Sequence, residues 1–267
     1  MPLDTLDPAA REFYYHTLSV FRTARLPVLI GGAYAYARYT GIERHTKDLD
    51  IFVREEHFLR TLDALDKAGY ATEATFPHWL GKAFHGEFFV DVIFGSGNGI
   101  CRVDDEWFEH APRDSMFDFP VSLCPPEEMI WSKSFVQERE RFDGGDVAHL
   151  IHARGDSLDW SRLLRRFGVH WQVLLSHLVL FGFIYPTDRE RVPSWVMHEL
   201  LRRLEDTLSA PPPADRVCRG TVLSRQQYLF DVERLGYRDA RAEPDNPMTP
   251  DEIALWTAGI ARDGSRD

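Results

Sequence analysis

The chain has 267 residues, with 44% hydrophobic and 27% charged side chains, the balance of a soluble protein able to bury a core without covalent staples. A formal net charge of -11 removes the basic surface on which polyanion binders rely, so any nucleic-acid contact would need arginines gathered locally. The cysteines Cys101, Cys124 and Cys218 are scattered, with no CxxC pair, which argues against a disulfide scaffold or a zinc site and for a reducing compartment. The first residues, MPLDTLDPAAREFYYH, carry acids and no apolar signal core, so a cytoplasmic location with no membrane partner is expected.

In chain order, residues 8–24 place Phe13, Leu18 and Phe21 at helical spacing. Pro27 breaks that pattern, and Val28-Leu29-Ile30 then reads as a short buried strand running into a turn at Gly31-Gly32. Ala33 to Tyr39 suits a helix before Gly41. A loop over 42–47 leads to the strand Asp48-Leu49-Asp50-Ile51-Phe52-Val53. Glu55 to Ala68 is amphipathic, with Gly69 as its cap. Residues 70–76 form a weak strand. Lys82–Phe84 and Phe88–Phe94 read as a hairpin turning at His85-Gly86.

Pro125-Pro126 marks a boundary, and helical patterns dominate from Glu127 onward. Residues 158–167, 169–184 and 194–208 are the strongest of these. The apolar run Val173–Tyr185 is too short to span a membrane and reads as a buried helix. Pro211-Pro212-Pro213 is a linker. The expected outline is an α/β core with a mixed sheet at 1–124 and a mostly helical region at 125–267.

Three carboxylates stand out. Asp48 and Asp50 are two apart on a strand, so they share a face while Leu49 points into the core. Asp91 lies alone between Phe88-Phe89-Val90 and Val92-Ile93-Phe94, and a carboxylate in such a strand costs several kcal/mol unless paired or metal-bound. Hard oxygen ligands of this kind suit Mg2+, which phosphoryl and nucleotidyl transfer need near the phosphates. Gly31-Gly32, between a strand and a helix, lets backbone approach an anion at a helix N-terminus. Taken singly, a DxD can be a solvated strand start and a glycine pair a plain turn. Their order along one chain is the stronger signal.

That order is Ile30-Gly31-Gly32, then Arg44-x-Thr46-x-Asp48-x-Asp50, then Val90-Asp91-Val92. It resembles the DNA polymerase beta-like nucleotidyltransferase superfamily, over roughly residues 27–150. The resemblance implies a nucleotidyltransferase core that moves an NMP from an NTP to a hydroxyl acceptor and releases pyrophosphate. It implies that Asp48 and Asp50 ligate both metals and Asp91 one, with Asp91 nearest the attacking hydroxyl. Gly31, Gly32, Arg44 and Thr46 would lie against the nucleotide, although Arg44 and Thr46 also suit plain loop positions. The segment Glu127-Glu128-Met129-Ile130-Trp131-Ser132-Lys133, followed by Arg139, Arg141, Asp143 and Asp146, resembles minor and toxin-like branches of the superfamily. Carried over, Lys133 reaches the triphosphate and Asp146 supports the site, with Asp143 competing for that role.

The acceptor stays open between a small molecule, as in antibiotic-modifying members, and tRNA or protein, as in toxin-like ones. A different class of reading is a catalytically weak or inactive nucleotide-binding or interaction module of the same fold, against which the three intact carboxylates speak. His149 and His152 have helical spacing but no accompanying zinc motif. The arginines after Arg216 are interleaved with acids and read as an ion-paired surface.

Overall fold

The computed structural model describes residues 7–44, 46–246 and 248–259. The chain divides into two compact units, Met1–Gly97 with Cys101–Pro125, and Asn98–Ile100 with Pro126–Asp267.

The first unit opens on α1 (Pro8–Thr23), where the Asp7 carboxylate accepts hydrogen bonds from the N–H groups of Ala9 and Ala10 and Pro8 occupies the first turn. This helix buries Phe13, Tyr14, Leu18 and Phe21. β1 (Leu29–Ile30) leads into α2 (Gly32–Thr40), which ends at Gly41 in the left-handed region, φ 72°. β2 (Asp48–Phe52) alternates half-buried and buried residues, with Leu49 and Ile51 inward. α3 (Phe58–Lys67) buries Phe58, Thr61, Leu62 and Leu65. β3 (Ala71–Phe76), β4 (Leu80–His85) and β5 (Phe88–Ile93) complete a five-stranded sheet of order β1-β2-β5-β4-β3. The sheet is mixed: β2 and β5 run parallel, and the other neighbours antiparallel. A Cβ at Gly81 would lie 2.8 Å from Leu62 Cδ1, so α3 packs on the face of β4 opposite Lys82.

After α4 (Asp105–Glu109) comes the hairpin β6 (Arg113–Met116) and β7 (Phe119–Ser122), which has no counterpart in the sequence reading. Its turn residues Phe117 and Asp118 adopt φ 52° and 64°, a conformation normally signalled by Asn-Gly. The sequence therefore carries no local turn signal there. Leu123 bridges Ile30, and the Cys124 N–H donates to the Ile30 carbonyl at 2.9 Å, tying this segment to β1.

The second unit contains α5 (Pro126–Ser134), α6 (Gly144–Arg154), α7 (Trp160–Phe167), α8 (Trp171–Ile184) and α9 (Ser194–Ser209). Residues 211–213 are exposed and carry no regular element. β8 (Val217–Cys218), α10 (Leu229–Glu233), β9 (Arg238–Asp239) and α11 (Pro250–Ala258) follow, with β8 and β9 pairing in parallel. α11 starts with a reciprocal capping box between Thr249 and Glu252. α8 departs from the expectation of a buried helix. It buries Leu174, Leu175, Leu178 and Phe181, but Val179 is 57% and Phe183 81% exposed. The helix is mostly apolar, and the described residues leave Val179 and Phe183 uncovered.

Candidate active site

The parallel pairing of β2 and β5 puts Asp50 directly beside Asp91, with Asp48 beside Phe89. Ligand oxygens of Asp48, Asp50 and Asp91 all lie within 4.8 Å of one another. The i, i+2 spacing on β2 and the register with β5 together place three carboxylates on one sheet face. Burial pushes the Asp91 carboxyl above the usual range and the Asp48 charge adds to this, while the ammonium of Lys82 opposes both by charge and hydrogen bond. The Thr46 hydroxyl donates to Asp48 Oδ1, so the loop before β2 orients one of the three.

The glycine turn is built against this face. A Cβ on Gly31 would meet the Phe52 ring at 2.3 Å, and one on Gly32 would meet Asp50 Oδ2 at 1.5 Å. Phe52 and Asp50 are themselves two apart on β2, so consecutive glycines cross consecutive side chains of the carboxylate face. Gly32 also holds φ 51°, which disfavours a side chain on its own account. The Gly31 N–H donates to the Asp50 carbonyl at 2.9 Å, which locks turn to strand. α2 begins at this point, directing a helix N-terminus toward the carboxylates' edge of the sheet.

Arg44 sits with its guanidinium carbon 4.6 Å from the centre of the Tyr36 ring and 3.5 Å from Nη2 to the Tyr36 hydroxyl oxygen. Lys133 lies in the second unit, its ammonium 2.7 Å from Asp146 and 3.1 Å from Asp143. The structure thus joins Lys133 to both candidate downstream acids. Arg141 forks onto Asp143 through two bonds of 2.9 Å. Despite burial, these cationic partners hold the Asp143 carboxyl below its ordinary range.

Two residues near the carboxylates escaped the sequence reading. Lys82 on β4 is the cross-strand partner of Asp91, with Nζ 2.6 Å from Oδ1. A hairpin turn placed at Gly86-Glu87 instead of His85-Gly86 would have revealed it, because that one-residue step moves the partner of Asp91 from Leu80 to Lys82. The second is Tyr14 of α1, 1% exposed, whose hydroxyl has no hydrogen-bond partner among the described residues. Burial first, then the charges of Asp48, Asp50 and Asp91, push its phenol upward and keep it protonated. Tyr14 precedes Leu18 by four residues on the buried stripe, a spacing that could have marked it.

A second polar cluster lies in the second unit. Arg162 Nη2 is 2.5 Å from Glu127 Oε2, and Arg166 Nε is 3.0 Å from Glu128 Oε1. Burial pushes the Glu128 carboxyl up to about 7, against the pull of both arginines, with the Glu127 charge adding a smaller upward push.

The donor set in the first unit fits a hard divalent cation. It offers three carboxylates within 4.8 Å of one another, and a dication would relieve their mutual repulsion beyond what the Lys82 ammonium beside Asp91 does.

No protein-family model matches the chain, and no curated protein does. Solved structures are similar to parts of it. The antibiotic-resistance factor ANT(2'')-Ia is 16% identical, with 62% of this chain and 95% of that one covered at a TM-score of 0.44. The lincosamide antibiotic adenylyltransferase LnuA is 15% identical, with 52% and 94% covered at 0.39. An antigenic nucleotidyltransferase-like protein from Paracoccidioides brasiliensis is 14% identical, with 61% and 90% covered at 0.36. An adenylyltransferase and a nucleotidyltransferase-like protein are thus among the structures to which parts of this chain are similar.

Proposed function

We propose that this protein is a divalent-cation-dependent nucleotidyltransferase that moves an NMP from an NTP to a hydroxyl acceptor and releases pyrophosphate. The observation that carries the reading is the convergence of Asp48, Asp50 and Asp91 within 4.8 Å on one sheet face, against a glycine turn where a side chain would strike Asp50 and Phe52. Asp48 and Asp50 would hold the cations, with Asp91 on one of them. Bound there, Mg2+ would neutralise charge on the α-phosphate and the leaving pyrophosphate. Asp91, beside Asp50 and kept partly desolvated, is suited to accept the acceptor's proton as the hydroxyl attacks. Gly31 and Gly32 let the start of α2 lie closely against Phe52 and Asp50, where its N-terminal N–H groups would meet the triphosphate, and Thr46 keeps Asp48 oriented.

The net charge of -11 favours an acceptor that is not a polyanion, so we take a small-molecule hydroxyl as the first acceptor class, with protein second. The deciding experiment incubates the protein with each α-labelled NTP, Mg2+ and a fractionated cell lysate. Tobramycin and lincomycin, the compounds named with two of the similar structures, serve as defined acceptors beside it. One NTP should transfer label to one fraction and release pyrophosphate, and Asp48→Asn, Asp50→Asn and Asp91→Asn should each abolish both. Absence of label and pyrophosphate with every NTP, from a folded protein that binds nucleotide, would replace this reading with that of a binding module.

A further inference from the structure

The carboxylate face continues beyond the three aspartates. Lys82 on β4 is the register partner of Asp91, and Glu73 on β3 is the register partner of Lys82. Asp50, Asp91, Lys82 and Glu73 therefore form one row across four neighbouring strands, on the face that carries Asp48. Lys82 Nζ lies 2.6 Å from Asp91 Oδ1, and the two side chains are 17% and 13% exposed. The ammonium also sits 4.1 Å from the centre of the Phe89 ring, the residue beside Asp48. A lysine so placed competes with a divalent cation for the Asp91 carboxylate. Its stem is a flexible four-carbon chain, so the ammonium can leave that oxygen without moving the strand.

We propose that Lys82 is a placeholder cation: it occupies Asp91 in the metal-free protein and passes to a triphosphate oxygen when the metal–nucleotide complex enters, so that metal and nucleotide bind cooperatively. The inference rests on the nucleotidyltransferase reading above. Its physical basis is an exchange of partners. Without nucleotide, a divalent cation must displace the ammonium from Asp91 and leave it half-buried beside a dication. With nucleotide, the displaced ammonium gains phosphate oxygens in place of the carboxylate. Free metal should therefore bind weakly and nucleotide should tighten it. Reciprocity requires the metal to tighten nucleotide by the same factor.

The test measures Mn2+ binding by the whole protein with and without a non-hydrolysable NTP analogue, in wild type, Lys82→Gln, Lys82→Met and Lys82→Arg. Lys82→Gln keeps a hydrogen-bond donor toward Asp91, and thermal melts establish which variants are folded. In wild type the analogue should tighten Mn2+ by about tenfold or more, within the usual range of coupling between sites. Lys82→Gln and Lys82→Met should bind Mn2+ alone about tenfold more tightly than wild type and lose most of the enhancement by the analogue, whereas Lys82→Arg should retain it in part. Mn2+ affinity that is unchanged or weaker in Lys82→Gln, or absence of coupling in wild type, overturns the placeholder role and leaves the metal site standing. Failure of wild type and every folded variant to bind Mn2+, with or without the analogue, overturns the metal-site reading and this inference together.

Discussion

Replacing Gly32 with alanine tests whether the glycine turn serves the carboxylates or only the fold. The new Cβ would lie 1.5 Å from Asp50 Oδ2 and 2.5 Å from Asp50 Cγ, so the Asp50 side chain must rotate away. Forcing alanine into the left-handed region at φ 51° costs about 1–2 kcal/mol, and a displaced rotamer about 0.5–1.5 more. Alanine recovers roughly 0.4–1 kcal/mol by restricting the unfolded chain, which leaves a net loss of about 0.5–3 kcal/mol. The effect on the site should be larger in proportion, because disturbing the orientation of a metal ligand typically costs about 10–100-fold in affinity. Gly31→Ala is the control. Its φ of -123° admits alanine, and its Cβ strikes the Phe52 ring, stacked 5.3 Å from the buried Trp107 ring, instead of a carboxylate. Overpacking of that kind costs about 1–3 kcal/mol and leaves Asp50 in place. Urea denaturation without metal, paired with Mn2+ titration, separates the two. Both variants should lose similar stability, and Gly32→Ala alone should lose Mn2+ affinity. Wild-type Mn2+ affinity in folded Gly32→Ala would refute the reasoning.

Three further outcomes follow from buried polar groups. Glu128 moves from 4.5 to about 7 in the folded protein, so its proton stays on in the native state after the unfolded chain has released it. Stability is then lost as pH rises from 4.5 toward 7, by about 3 kcal/mol in total, and Glu128→Gln should flatten that slope in chemical denaturation. An identical pH slope in the variant would show that Glu128 ionises normally. Tyr14→Phe removes a buried hydroxyl that has no partner among the described residues, so its melting temperature should equal or exceed that of wild type; a clear drop would reveal a partner for the hydroxyl. Lys133→Ala strips Asp146 and Asp143 of their shared ammonium and should cost about 1.5–3 kcal/mol in urea denaturation, with Asp143 retaining Arg141. A change smaller than about 0.5 kcal/mol would assign those contacts to a solvated surface.

The periodic features were legible in the order of residues alone. An i, i+2 aspartate pair on an alternating strand can face one way only, and Asp91 is conspicuous because everything around it is apolar. The glycine pair was legible as a turn between a strand and a helix, and proline and glycine punctuation set the main element boundaries. What local pattern could not contain was register and partnership across distance. The parallel pairing of β2 with β5 decides that Asp50 neighbours Asp91, and it joins segments about forty residues apart through backbone bonds with no sequence signature. Lys82 was hidden by a one-residue error in the hairpin turn, since antiparallel register magnifies such an error into a two-residue change of partner. The necessity for glycine at 32 likewise became visible only once Asp50 lay across it. The β6–β7 turn at Phe117-Asp118 lacks the residues that ordinarily favour its backbone, and the burial of Glu128 against Arg162 and Arg166 depends on helices that meet only in the folded chain. Periodicity is written in neighbouring residues, whereas register, burial and charge pairing arise when distant segments exclude water together.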